Sequence, residues 1–220
     1  MPENPWHDIA VEDYDAHMGH ENVRQLAALS AIVKEQLETI PPAMRSKAEI
    51  AILGVANGNG LEHILPLGIG KAIGIDINLR FLMACRMRYA VLGKRLVLRQ
   101  MDLAGETAAA ADILRDTDMI IANLLIEHIH LQNFMALIHA LPPKKRTISC
   151  VIQVNPDGAI ASRSGHEQAF ADVVSAMEEA EELAITAAMD NSGYVRQQRL
   201  VYPLPNGKSF IRLDYSSVEQ

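Results

Sequence analysis

Residues 48–78 read AEIAILGVANGNGLEHILPLGIGKAIGIDIN, and the order of apolar and glycine-rich stretches in this segment decides the fold. A short apolar run is followed by a turn holding Gly54, Gly58 and Gly60, then a helix-like stretch, then a second apolar run closing on Asp76. That is the pattern of a βαβ unit able to cradle a nucleotide. Glycines at a strand-to-helix turn let the backbone approach a ligand with no Cβ in the way. An acid about twenty residues on can accept from two ribose hydroxyls, and Asp76 stands at that reach from Gly54.

The glycine spacing narrows the ligand. A dinucleotide fingerprint needs G-x-G-x-x-G, so that a pyrophosphate sits on the helix N-terminus. Here the glycines form G-x-x-x-G-x-G, which fits that pattern poorly. With Gly54, Ala56 and Gly58 set against the three glycines of a G-x-G-x-G turn, the segment resembles the first motif of the class I S-adenosylmethionine-dependent methyltransferases. The resemblance runs from Glu49 to Gln153. Asp76, in GIDIN, matches the family's ribose-binding acid. Asp102, in RQMDL, matches the acid or amide near the adenine amino group. The run DMIIANLLIEHI, Asp118 to Ile129, resembles the fourth strand and the loop leading to the acceptor.

The resemblance implies a cofactor, S-adenosylmethionine, with S-adenosylhomocysteine as product. It places Gly54, Ala56, Asn57, Gly58, Asp76, Ile77, Asp102, Leu103 and Asn123 around that cofactor. Two departures are visible. The family's acid two positions before the first glycine is Ile52 here, and Ala56 replaces the middle glycine. The Asn-Pro-Pro-aromatic loop of enzymes that methylate base amines is also missing, since Asn123 is followed by Leu124, Leu125 and Ile126. The N-terminal W-x-x-I (Trp6 to Ile9) and Y-x-x-H-M (Tyr14 to Met18), with G-N-G-L-E-H from Gly58, are similar to a poorly characterised methyltransferase group.

Outward from the βαβ unit, strands are expected at 49–53, 72–76, 95–99, 118–122 and 147–153, with helices near 60–67, 79–92, 107–114, 127–141 and 166–184. Such alternation implies an α/β domain with a doubly wound, mainly parallel sheet. Two β-rich runs, 194–204 and 208–215, flank Pro205-Asn206-Gly207, a tight-turn signal for an antiparallel hairpin. The sheet therefore counts seven strands, the Rossmann-like methyltransferase fold that the resemblance implies. Before it, residues 22–40 carry apolar positions at helical spacing, stopped by Pro41-Pro42. A single domain is expected, residues 1–45 forming a helical lid or appendage and 46–220 the cofactor-binding core.

Composition bounds the function. The 220 residues are 49% hydrophobic and 21% charged, with a formal net charge of −7, the balance of a globular chain. Strong nucleic-acid binding needs a basic stripe, and Lys144, Lys145 and Arg146 read instead as a solubilising loop. The acidic cluster Glu178 to Glu182 reads as a solvated helix face. Cys85 and Cys150 sit in apolar periodic segments and read as buried small hydrophobes. Neither a leader pattern nor a membrane-length apolar run is present, so the cytoplasm and no membrane partner are expected. The eight His lack metal-ligand spacing, and no metal is expected.

The chemistry implied is modest, because a sulfonium methyl is already activated and the protein has mainly to align a small-molecule acceptor and exclude water. Ligands in open α/β sheets bind beyond the carboxyl ends of the strands. Asn123, Glu127, His128 and His130 lie there, and the aromatic segment at residues 6–20 can fold over the same place. Tyr14, His17 and Glu127 are accordingly the candidate catalytic residues. Two other classes stay open: a non-catalytic cofactor-binding or interaction domain, and an NAD-dependent oxidoreductase, for which Tyr89 lacks a Lys four residues on. Ile211, Leu213 and Tyr215 on one face of the last strand, with Phe210, Arg212 and Asp214 on the other, suggest a homodimer.

Overall fold

The computed structural model describes residues 4–156 and 164–217; the ends of both expected segments, 1–3 and 218–220, lie outside them. Helices α1 (Val11–Gly19), α2 (Gln25–Glu38) and α3 (Pro42–Arg45) precede strand β1 (Glu49–Leu53). Then come β2 (Lys71–Asp76), α4 (Leu79–Arg88), β3 (Leu96–Gln100), α5 (Thr107–Leu114) and β4 (Met119–Asn123). The chain continues through α6 (Ile126–Ile129), α7 (Leu131–Ala140), β5 (Thr147–Val154), α8 (Ala171–Ala176) and α9 (Glu182–Asn191). Strands β6 (Tyr194–Pro203) and β7 (Ser209–Ser217) close it.

All seven strands form one sheet, ordered β3-β2-β1-β4-β5-β7-β6. The first five pair in parallel, and β7 runs antiparallel between β5 and β6. This is the expected doubly wound sheet with its antiparallel hairpin. The period of two along each strand divides the core. Ala51 and Leu53 face Leu114 of α5 and Phe134 of α7, whereas Ile50 and Ile52 face Val33 and Leu37 of α2.

Several local expectations are corrected. No α-helix forms over 60–67; the chain makes only a short 3₁₀ turn, Leu61–His63. Gly58, Gly60 and Gly68 all hold positive φ and Pro66 interrupts the run, so the backbone coils instead. Helix α2 covers that face of the sheet in its place, and a Cβ on Gly60 would lie 2.4 Å from Val33 Cγ1. The segment read as lying outside the core thus buries Ile32 and Leu37 completely.

The helix expected over 127–141 breaks at His130, whose φ is 66°. The one expected over 166–184 becomes a 3₁₀ turn, the short α8, and a non-helical stretch before α9, so Glu178 to Glu181 lie on no helix. Of the supposed solubilising trio, Arg146 is 2% exposed, and its guanidinium donates to the carbonyls of Leu114, Arg115 and Pro142. Both faces of β7 are buried, which removes the surface on which the homodimer reading rested. Cys85 and Cys150 are free and buried, as expected.

Candidate functional site

Strand order reverses between β1 and β4, and the loops leaving these two strands open a crevice at their carboxyl ends. Both loops carry left-handed backbone at residues with a side chain: Ala56 at φ 47° and Leu124 at φ 52°. L-residues pay about 1–2 kcal/mol for that conformation. At Ala56 the result is a backbone N–H turned toward the end of β2, where it donates to Asp76 Oδ2 at 2.8 Å. The Asn78 N–H donates to Asp76 Oδ1 at 2.9 Å. Burial pushes the Asp76 carboxyl up to about 6, although both amides oppose the shift.

Asn78 ties the N-terminal segment to this turn. Its Oδ1 caps α4 by accepting from the Arg80 and Phe81 N–H groups, and its Nδ2 donates to the carbonyls of Trp6 and Ile9. Trp6 is thereby held in an aromatic cluster, its ring 6.4 Å from Tyr14 and from Phe81 and 6.2 Å from Phe170. The Trp6 Nε1–H donates to His128 Nδ1 at 3.1 Å. Burial drives His128 down to about 4, so near neutral pH its ring is uncharged, with the proton on Nε2.

These groups enclose one open cavity of about 1410 Å³, its mouth included, with a largely apolar lining. Of the residues expected around a cofactor, Gly54, Ala56, Asp76, Ile77, Asp102, Leu103 and Asn123 line it. Asn57 and Gly58 do not. Asn57 is fully buried, donating to Asp15 Oδ1 at 2.7 Å, and its own Oδ1 has no partner among the described residues. Gly58 makes room for a ring, since a Cβ there would lie 2.2 Å from Tyr89 Cε2.

Tyr14, His17 and Glu127 all line the cavity. The Tyr14 hydroxyl accepts from Asn59 Nδ2 at 2.6 Å, and burial raises its pKa so far that it keeps its proton. His17 Nδ1 lies 2.6 Å from Ser164 Oγ, its ring 4.7 Å from Phe170, and burial lowers its pKa. Glu127 is 4% exposed. Its Oε1 accepts from the Gln153 N–H at 2.9 Å, whereas Oε2 has no partner among the described residues. Desolvation raises its carboxyl to about 7. A carboxyl that titrates near neutrality in an apolar cavity can take a proton from a bound hydroxyl, thiol or ammonium. His130 instead points to Glu178, at 2.9 Å.

Gln36 is fully buried behind the cavity wall and holds Asn123, which lines it. It sits on the buried face of α2, between Val33 and Leu37, and exchanges two amide hydrogen bonds with Asn123, at 2.9 and 3.0 Å. Its Nε2 also donates to Ser149 Oγ at 2.7 Å, and Ser149 donates to Asp214. A glutamine at a core position of an apolar helix face is the signal that could have found it. Asn59, Phe81 and Phe170 carried no comparable signal. Among the described residues, no group of three or more His, Cys, Asp or Glu is placed to hold a metal. None of their helices is long and apolar enough to cross a membrane.

No protein-family model matches the chain, and no curated protein matches it in sequence. Solved structures do resemble it. Magnesium protoporphyrin IX methyltransferase from Synechocystis PCC 6803, with bound SAH, superposes with a TM-score of 0.63 at 11% identity, over 97% of this chain and 96% of that one. The 1,6-didemethyltoxoflavin-N1-methyltransferase of Burkholderia thailandensis, with 1,6-didemethyltoxoflavin and S-adenosylhomocysteine bound, gives 0.57 at 14% identity, over 100% and 92%. Geranyl diphosphate C-methyltransferase from Streptomyces coelicolor A3(2) gives 0.62 at 10% identity, over 89% and 81%. At these identities the likeness establishes the fold.

Proposed function

We propose that this protein binds S-adenosylmethionine and transfers its methyl group to a small-molecule acceptor. The observation that carries the reading is the clasp between the Ala56 N–H and Asp76 at the switch point of the sheet, on the wall of the large cavity. The clasp holds Ala56 in the left-handed backbone that a glycine adopts freely. It uses one lone pair on each Asp76 oxygen, and a carboxylate has about four acceptor sites, so both oxygens can still accept from a ribose. Asp102 lies on the same wall, with Oδ1 accepting from the Ala104 N–H at 2.9 Å, and its carboxylate would accept from an adenine amino group. The residues present therefore suit an adenosyl ligand. The neighbours solved with SAM or SAH bound support the same ligand.

When bound, the cofactor supplies a sulfonium methyl that needs no further activation. The chain's own part is to exclude water, orient the acceptor, and take its proton where it has one. Trp6, Tyr14 and Phe170 form the dry wall, and residues 4–20 act as a lid over the cavity, whereas α2 belongs to the core. Tyr14 and His17 position the acceptor, and Glu127 Oε2 receives the proton.

Calorimetric titration with S-adenosylmethionine, S-adenosylhomocysteine and NAD, beside an Asp76→Ala variant, tests the reading. Micromolar binding of the two adenosyl ligands, lost in the variant, is expected. A folded chain that binds neither would favour the interaction-domain reading, to which Ile52 in place of the family's acid points. Tight NAD binding would favour an oxidoreductase.

A further inference from the structure

Between Asp76 and Asp102 the chain has no acidic residue, yet it places six cations there: Arg80, Arg86, Arg88, Lys94, Arg95 and Arg99. In a protein of net charge −7 this is a basic stretch, in which Arg88 is paired with Asp15 of α1 at 3.0 Å, while Arg80 and Arg86 are exposed. The same stretch holds an exposed apolar row, with Leu79 51% exposed, Met83 60%, Met87 80% and Val91 75%. Leu79, Met83 and Met87 recur every four positions along α4 and so lie on one side, with Val91 exposed in the 3₁₀ turn after it, while Phe81, Leu82 and Cys85 point into the core. At about 100° per residue, Leu79, Met83 and Met87 cover roughly 80° of the helix surface, with Arg86 on one flank and Arg80 on the other.

We propose that this face of α4 docks the protein on an anionic lipid surface. The row of apolar side chains seats shallowly among the acyl chains, and the flanking guanidinium groups pair with lipid phosphates. Two other occupants fit less well. A second copy packed face to face would set cations against cations, because a two-fold contact pairs a surface with itself. A nucleic acid would leave the apolar row against phosphates. Docking on a surface needs no spanning helix. The inner side of α4 gives Phe81 to the cavity wall, so the outer row can be changed without touching the proposed site.

The test is sedimentation of the full chain with phosphatidylcholine vesicles, with and without about one third phosphatidylglycerol, at low and high salt. We expect co-sedimentation with the anionic vesicles only, released by high salt. Partitioning should fall at least about tenfold in Arg80→Glu/Arg86→Glu and in Met83→Ser/Met87→Ser. Circular dichroism and S-adenosylmethionine titration of both variants should match the parent, which separates this result from a failure of the proposed function. Absence of binding to anionic vesicles at low salt would overturn the proposal. So would binding that both variants retain, or a concentration-dependent dimer abolished by the methionine changes without any vesicle binding.

Discussion

The side-chain amides of Gln36 and Asn123 face each other and exchange two hydrogen bonds, at 2.9 and 3.0 Å, across the junction between α2 and the end of β4. The pair fixes how Asn123 presents itself to the cavity. Behind it, Ser149 and Asp214 continue the chain of bonds to Arg212, whose Nε and Nη2 lie 2.9 and 2.6 Å from the two Asp214 oxygens. Gln36→Ala strands buried groups on both sides, so it should cost about 2–4 kcal/mol in urea unfolding. A double-mutant cycle with Asn123→Ala should return about 1 kcal/mol of coupling or more.

Ala56 holds a φ that glycine adopts freely. Ala56→Gly relieves that strain at some cost in chain entropy, so it should lie between neutral and about 1 kcal/mol more stable. Ala56→Val, with a branched side chain at the same φ, should cost more than about 2 kcal/mol. Equilibrium unfolding of the two variants provides the check.

Glu127 titrates at about 7 in the fold, above the 4.5 of an ordinary glutamate. Its folded pKa is raised, so the native state binds the extra proton, and stability falls as pH rises from about 4.5 through 7. Glu127→Gln cannot titrate and should lose that part of the slope; unfolding midpoints at pH 5 and 7.5 for both proteins measure it. With an acceptor in hand, turnover should rise through about pH 7, and the variant should lose about 10²–10⁴ in rate together with that limb of the profile.

Tyr14 keeps its proton at any ordinary pH, so its hydroxyl is not a base. Tyr14→Phe loses the bond from Asn59 yet keeps the ring against Trp6 and Phe81, and should leave turnover within about tenfold. Tyr14→Ala opens the aromatic wall and should cost about 3–5 kcal/mol of stability.

The chain itself determined the architecture. Strand-length apolar runs between helical patterns, the glycine turn before Asp76, and Asn206-Gly207 in the hairpin are local signals, and local signals survive in one dimension. The seven strands, their mainly parallel character and the antiparallel terminal hairpin follow from them. What the tertiary structure decided is which segments meet. Gln36 and Asn123 are 87 positions apart, and Trp6 and His128 are 122. Only packing brings such pairs together. Packing likewise made α2 the cover of a face where a helix after Gly60 was expected, took Asn57 and Gly58 off the cavity wall, and left Glu127 Oε2 without a partner among the described residues. A periodicity shows which side of an element is apolar. Which element it will face depends on how the whole sheet closes its core.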